Sequence, residues 1–383
     1  MIWKKKKNQS LSQLQRKYKV IISGGGTGGH IFPAVAIANA LKKMDSSIDI
    51  LFVGAKGKME MEKIPAAGYK IEGLWISGLQ RNSFKSNLSF PFKLVSSLRQ
   101  AGKIIKRFQP DVAVGVGGYA SGPLLYMATR KNIPALIQEQ NSFPGITNKL
   151  LAKKVNKICV AYDGMERFFP KDKIIKTGNP VREDVVKIEG KKYEAINYFG
   201  LEDNLKTILV VGGSQGARSI NMSIKAGLEK IKESGCQLIW QTGKLFYGEA
   251  SASAESLNSN KIKVYDFINR MDLAYSMADL VVTRAGASTV SELCIVAKPS
   301  ILIPLPTAAE DHQTKNCMAL VNRNAGILVK DNDAMATLVS KALETIRDAE
   351  KLSALSKNIR QLALPDSAKT IAKEVLQLAK YKN

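Results

Sequence analysis

The chain is short of cysteine, histidine and acidic residues, and it contains no long apolar run. Its 383 residues include four cysteines and two histidines. Cys159, Cys236, Cys294 and Cys317 are far apart, a spacing that gives neither a disulfide framework nor a zinc site and suits a reducing cytoplasm. No stretch approaches transmembrane length, and Met1 to Lys19, though basic, lacks the apolar core of a signal peptide. The protein is expected to be made and kept in the cytoplasm. Asp and Glu number 33 against 57 Lys and Arg, a formal net charge of +24. The shortage of acid is local: residues 1–180 hold 30 basic and 10 acidic side chains, residues 181–383 hold 27 and 23. A basic first half beside a near-neutral second half predicts one region that meets something anionic, either nucleic acid or an acidic membrane leaflet.

What is present is glycine at the ends of strands. Val20, Ile21 and Ile22 form the short apolar run of a buried parallel strand. A glycine-rich turn, Ser23 to Gly29, follows, and Val35, Ile37, Ala38 and Leu41 then repeat at helical spacing. A strand, glycine turn and helix in this order aim free N–H groups and a positive helix end at a phosphate. Bulkier residues across Gly24 to Gly29 would hold a ligand off the backbone. Gly24, Gly26 and Gly29 also satisfy the dinucleotide pattern G-x-G-x-x-G, which needs an acid about 20 positions on, at the end of the second strand. That strand, Ile48 to Val53, ends in Gly54, and the next acid, Glu60, falls in a predicted helix. The pattern therefore argues against a nicotinamide site. His30 places a titratable ring where the turn becomes the helix.

Further strands are predicted at Tyr69–Trp75, after Pro110, at Ile133–Ile137 and at Lys157–Ala161, with a helix at Lys58–Ala66. The loop around Gly117, Gly118, Tyr119, Ser121 and Gly122 and the segment Gln138-Glu-Gln-Asn141 should share one sheet edge with Thr27 to His30 and line one crevice. Leu88, Phe90, Phe92, Leu94 and Val95 are interleaved with Lys85, Lys93, Arg99 and Lys103. That mixture suits an interfacial membrane patch and equally the buried face of a helix running to Phe108. Gly178-Asn-Pro-Val-Arg182 interrupts the pattern as a hinge. The plan then repeats: strand Thr207–Val211, turn Gly212–Gly216, helix Ala217–Ile231, and strands at Gln237–Gln241, Ile262–Tyr265, Leu280–Thr283 and Ser300–Pro304. A second glycine turn, Arg284-Ala-Gly-Ala-Ser-Thr-Val-Ser-Glu292, feeds a helix with Ser288 and Thr289 in its first turn and Glu292 one turn inside. Asp366–Lys380 reads as an amphipathic helix that returns across the junction. The chain is thus expected to be α/β, with two Rossmann-like domains whose parallel sheets face each other across a cleft. The expected divisions are a basic tail at 1–18, domains at 19–180 and 181–365, and the returning helix at 366–383.

Gly25-Gly-Thr-Gly-Gly-His-Ile-Phe-Pro33, Gly117-Gly-Tyr-Ala-Ser-Gly-Pro123, Glu139-Gln-Asn141 and Gly178-Asn-Pro-Val-Arg182 occur in this order. Gly212-Gly-Ser-Gln-Gly-Ala-Arg218, the Arg284–Glu292 turn and Asp311-His-Gln-Thr-Lys-Asn316 follow. Together they closely resemble the MurG family of glycosyltransferases of bacterial peptidoglycan synthesis, over nearly the whole chain after the basic tail. The resemblance implies a GT-B fold that moves N-acetylglucosamine from UDP-N-acetylglucosamine to the muramoyl 4-hydroxyl of lipid I, giving lipid II with inversion at the anomeric carbon. Such a displacement needs a general base for the acceptor hydroxyl and charge stabilisation for the departing UDP. The implied donor contacts are Thr27, Gly28, Gly29, Asn141, Arg182, Ser214, Ile268, Ala287, Ser288, Thr289, Val290, Ser291, Glu292 and Gln313.

Glu292 would accept hydrogen bonds from both ribose hydroxyls. Ser214 and the Ser288 and Thr289 amides would hold the diphosphate, and the backbone of Ile268 would bracket uracil. Gly117, Gly118, Tyr119, Ser121 and Gly122 would meet the acceptor. His30 is the candidate base, with ordering of the glycine loop or a bond to an acceptor phosphate as the alternative. His312 would position the Gln313 loop. No cofactor and no metal is expected, and Asp331-Asn-Asp333 reads as an N-cap rather than a metal motif. The implied partners are UDP-N-acetylglucosamine, lipid I, cell-wall synthesis proteins and an anionic membrane surface touched by Lys85, Leu88, Phe90, Phe92 and Lys93. The implied location is the cytoplasmic face of the bacterial plasma membrane. A glycolipid glycosyltransferase or sugar-nucleotide epimerase of the same fold is the competing enzyme. A nucleic-acid binder is the non-enzymatic alternative, for which the chain lacks a recognisable RNA or DNA module.

Overall fold

The computed structural model describes residues 17–78, 89–213 and 215–381. Most of the basic tail, together with Lys85, Leu88 and Ser214, lies outside the described residues. Two parallel sheets form the framework. The first holds β1 (Lys19–Ser23), β2 (Asp49–Ala55), β3 (Lys70–Leu74), β4 (Val112–Gly115), β5 (Ala135–Glu139), β6 (Lys157–Val160) and β7 (Ile174–Lys176), in the order β3-β2-β1-β4-β5-β6-β7. The second holds β8 (Thr207–Val211), β9 (Gln237–Gln241), β10 (Ile262–Tyr265), β11 (Leu280–Thr283), β12 (Ser300–Leu302) and β13 (Ile327–Leu328), in the order β10-β9-β8-β11-β12-β13.

The apolar runs form these strands because both faces of each sheet are covered. Val20 and Ile22 join one core cluster and Ile21 joins another, and all three are fully buried. In the second sheet Ile208 and Val210 face one cluster and Leu209 the other. Alternate side chains leave a strand on opposite faces, so two-sided burial selects an unbroken apolar run. Each such side chain contributes about 1.5–3 kcal/mol relative to exposure.

Strand order reverses between β1 and β4 in the first sheet and between β8 and β11 in the second. Helices that leave such a switch point diverge to opposite faces and open a crevice at the carboxyl ends of the strands. In the first half α1 (Gly28–Met44) follows β1, α2 (Glu60–Ala66) follows β2, and α3 (Phe90–Phe108) precedes β4. In the second half α4 (Met271–Met277) precedes β11, α5 (Ala287–Val296) follows it, and α6 (His312–Val321) follows β12. The last helix, α7 (Ser367–Tyr381), packs on α1. Its Ile371, Val375 and Leu378 join the core face of Val20 and Ile22. A largely buried Lys157–Glu374 ion pair fastens it to β6.

Two details depart from expectation. The segment expected as one helix from Ala217 is two, Arg218–Ala226 and Leu228–Glu233. A Cβ at the intervening Gly227 would lie 2.6 Å from Val339, so the close approach of helix Ala334–Arg347 requires glycine there. Asp331-Asn-Asp333 is not a side-chain cap. It forms a short 3-10 turn in which Asp331 pairs with Arg284 and accepts from Ser219.

Candidate active site

The turn after β1 and the turn after β4 meet at the first switch point, and the local geometry is set by glycine. Gly118 has φ +82°, and a Cβ there would lie 2.3 Å from the Gly25 carbonyl oxygen. The two turns therefore pack backbone to backbone. His30, in the first turn of α1, places Nδ1 3.1 Å from the Gly25 carbonyl oxygen and 3.3 Å from Thr27 Oγ1. A carbonyl only accepts, so Nδ1 carries the proton and Nε2 keeps its lone pair. Burial pushes the His30 pKa below its usual 6.5, and His312 adds to the fall, while the Gly25 carbonyl and Glu60 oppose it. The ring is therefore neutral at neutral pH. A Cβ at Gly117, where φ is +96°, would lie 2.9 Å from His30 Nε2, so glycine keeps that nitrogen clear.

The structure thus assembles Thr27, Gly28, Gly29 and His30 with Gly117, Gly118 and Tyr119, whose ring covers Gly26. Gly122 lies beside Thr147. Ser121 is fully buried, and its hydroxyl donates to the Gly118 carbonyl at 2.8 Å, so it shapes the turn instead of presenting a hydroxyl to an acceptor. Sequence reasoning missed Glu60, which it marks only as an acid in the wrong place for a ribose. Glu60 is fully buried and accepts from the Gly26 N–H and the Ala55 N–H, each at 3.0 Å.

At the second switch point, α5 begins with Val290 N–H bonding back to the Gly286 carbonyl at 2.9 Å. The amides of Ala287, Ser288 and Thr289 occupy the helix's open, positive end. The Ser288 hydroxyl is buried with no hydrogen-bond partner among the described residues. Glu292 accepts from the Tyr275 hydroxyl of α4 at 2.9 Å. Burial lifts its carboxyl to about 7, against the Tyr275 hydrogen bond and Arg182, which hold it down. Arg182 lies 5.4 Å from the centre of the Phe32 ring on α1 and exerts its field on Glu292.

Gln313 Oε1 accepts from Leu305 N–H at 2.9 Å, which fixes the side-chain amide. The Ile268 N–H donates to Gln241 Oε1 at 2.9 Å. Gln241 Nε2 also donates to the Gly213 carbonyl at 3.1 Å and ties this loop to the turn after β8.

Two asparagines, neither picked out as a site residue in the sequence, join the halves. Asn179 accepts from Gln138 Nε2 at 3.1 Å and donates to the Gln140 carbonyl and to Ser291 Oγ, each at 3.0 Å. Asn316, fully buried, accepts from Ser142 N–H at 3.1 Å and donates to Asn141 Oδ1 at 3.3 Å. Asn141 and Ser291 are thereby engaged in the junction, and Val290 is buried. Each such bond contributes about 0.5–1.5 kcal/mol net. A cavity of about 560 Å³ at the same junction is lined by Tyr162, Asn179, Ser291 and Arg323 among others, and His30, Glu292 and Gln313 are not part of its wall.

Residues 20–160 match the glycosyltransferase family 28 N-terminal domain, and residues 207–371 match the family 28 C-terminal domain. The chain belongs to glycosyltransferase family 28. A relative from Phocaeicola vulgatus, named UDP-N-acetylglucosamine–N-acetylmuramyl-(pentapeptide) pyrophosphoryl-undecaprenol N-acetylglucosamine transferase, is 57% identical over 371 residues. The match spans 96% of this chain and 99% of that protein. The crystal structure of MurG from Acinetobacter baumannii matches with a TM-score of 0.76 at 27% identity, over 94% of this chain and 99% of that one. A UDP-GlcNAc 2-epimerase from Neisseria meningitidis, solved with UDP-GlcNAc bound, matches with a TM-score of 0.66 at 14% identity over 94% of this chain and 100% of that one, which shows the shared GT-B fold alone.

In this family 28 chain, α3 divides the apolar and basic stretch into a buried face and an exposed one. Phe90 and Leu94 pack against the first core, followed at helical spacing by buried Ser97, Ala101, Ile104 and Ile105. Phe90 is therefore partly buried, with its ring against the core. Phe92 is 73% exposed and Val95 48%, and Arg99, Lys103 and Lys106 lie exposed beyond them. Lys93 donates to Ser77 at 3.2 Å. No described helix is long and apolar enough to cross a membrane, and no group of three or more metal-ligating side chains occurs among the described residues.

Proposed function

We propose that this family 28 chain transfers N-acetylglucosamine from UDP-N-acetylglucosamine to the muramoyl 4-hydroxyl of lipid I, forming lipid II with inversion at the anomeric carbon. The observation that carries the mechanism is the His30 geometry: Nδ1 is committed to the Gly25 carbonyl, and glycine at position 117 keeps Nε2 clear. His30 Nε2 takes the proton of the acceptor hydroxyl as its oxygen bonds to the anomeric carbon. The bond from that carbon to the phosphate oxygen breaks, and UDP leaves with the electron pair. Charge growing on the diphosphate is met by the amides and hydroxyls of Ser288 and Thr289 at the positive end of α5. Glu292 accepts from the ribose hydroxyls, the Ile268 carbonyl meets uracil, and Gln313 orients the sugar. Thr27, Gly28 and Gly29 approach the donor from the first half, while Gly117, Gly118, Tyr119 and Gly122 face the acceptor.

The acceptor is a lipid, so the enzyme works at a bilayer surface, on the cytoplasmic face of the plasma membrane where the nucleotide sugar is. The exposed Phe92 and Val95 beside Arg99, Lys103 and Lys106 supply the apolar and cationic parts of an interfacial anchor. Offering the purified protein lipid I and diacylglycerol in parallel tests the reading. Product on lipid I alone supports it, whereas product on diacylglycerol, or free epimerised sugar, assigns the chain to another activity of this fold.

A further inference from the structure

Glu60 is a fully buried carboxylate held by two backbone amides, those of Gly26 and Ala55. Burying a charge is costly unless the group is hydrogen-bonded, and here two backbone amides meet it. The surrounding sequence makes room for it. A Cβ at Gly25 would lie 2.2 Å from its Oε1, and one at Gly54 would lie 2.5 Å from its Cγ. The Gly26 N–H that donates to Glu60 and the Gly25 carbonyl that accepts from His30 Nδ1 are the two ends of one peptide group. That group is planar and resonance-coupled, so an anion at its N–H makes its oxygen a stronger acceptor.

We infer that Glu60 is a positioning residue for the transfer reaction, acting on His30 through the Gly25–Gly26 peptide. It anchors that peptide, holds the imidazole as the Nδ1–H tautomer, and stabilises the imidazolium formed when Nε2 takes the acceptor proton. The Nδ1 proton stays on Nδ1 throughout. No proton passes to Glu60, and the proton gained at Nε2 leaves to solvent after UDP departs. The other titratable groups around the loop are Tyr119, whose phenol is raised by burial and by Glu60, and His312 from α6. The inference rests on the reading of His30 as the base.

The test is Glu60→Gln, measured alone and in a His30→Ala background. The amide keeps the size, loses the charge and sets an NH₂ against one of the two N–H donors. Turnover should fall roughly 10- to 100-fold, the scale seen when a partner that orients a metal-bound imidazole is lost. Because the Glu60 charge raises the His30 pKa, the acid limb of the kcat profile should move to lower pH. A purely structural role would lower turnover and melting temperature and leave that limb in place. In the His30→Ala background Glu60→Gln should cost nothing further. Full turnover by His30→Ala would remove the base itself, whatever Glu60 does. A crippled His30→Ala combined with an unmoved limb, or with an equal Glu60 cost in both backgrounds, would overturn the relay alone. Nitrogen NMR of labelled histidine in the unaltered protein is independent of variant folding. An Nδ1–H tautomer at His30 supports the inference, and an Nε2–H tautomer overturns it.

Discussion

Replacing Glu292 with glutamine should make the protein more stable and a poorer binder of UDP. Burial lifts the carboxyl from 4.5 to about 7. At 1.36 kcal/mol per pH unit, keeping it ionised above pH 7 costs about 3 kcal/mol of folding stability. The sign follows from proton binding. The folded chain holds this proton more tightly than the unfolded chain, so the stabilisation is full below 4.5 and is lost as pH rises through about 7. Glutamine carries no charge and keeps an oxygen to accept from Tyr275, so its melting temperature should exceed the parent's by a few degrees at pH 8, with the gap closing in acid. Binding moves the other way. Loss of a charged acceptor for the ribose hydroxyls should cost about 1.5–3 kcal/mol, roughly 10- to 150-fold in Kd. In the parent protein UDP affinity should weaken as pH falls below about 7 and the carboxyl takes its proton. Calorimetric titration with UDP and thermal unfolding, each at pH 6 and 8, check all three. Unchanged UDP affinity in the variant would refute the ribose role, and coincident melting curves at pH 8 would refute the strained charge.

His30→Ala should lower turnover roughly 10²- to 10⁴-fold with UDP affinity nearly intact, and a raised acceptor KM with turnover preserved would make His30 a binding residue instead. In the parent, kcat should be flat above pH 6.5 and fall only below it, because burial lowers the His30 pKa and the protonated ring cannot accept. Gly117→Ala should cripple turnover through strain at a positive φ and collision with the imidazole, and near-normal kinetics would show that the turn and ring adjust freely. Replacing Phe92 and Val95 with Ser should loosen binding to anionic vesicles by about tenfold and spare transfer to a short-chain soluble acceptor. Phe90→Ser should instead lower the melting temperature, and equal loss on both acceptors for Phe92 and Val95 would mean that this face is no anchor.

The parallel strands were legible because two-sided burial writes itself as runs such as Val20-Ile-Ile22 and Thr207-Ile-Leu-Val-Val211, and glycine turns mark where they end. Strands β7 and β13 have three and two residues, too short for any periodicity to register. The break at Gly227 depends on Val339, more than a hundred residues away in the chain, so nothing local announces it. The site was legible where backbone chemistry dictates residue type, as in the turns at Gly24–Gly29 and Arg284–Glu292. It was not legible where one side chain supports another across the fold. Asn316 and Ser142 are 174 positions apart, Gln138 and Asn179 are 41 apart, and Glu60 reaches Gly26 across 34. Phe90 and Phe92 look alike in composition, and only the helical rotation between them sends one to the core and the other to solvent.

The most direct measurement is to incubate the purified protein with lipid I and UDP-N-acetylglucosamine labelled in the sugar, and to determine the linkage of any lipid-borne product by proton NMR. The account predicts a lipid-linked disaccharide with N-acetylglucosamine joined β to the muramoyl 4-oxygen, with stoichiometric release of UDP. An α linkage, or label released only as free sugar, would contradict it.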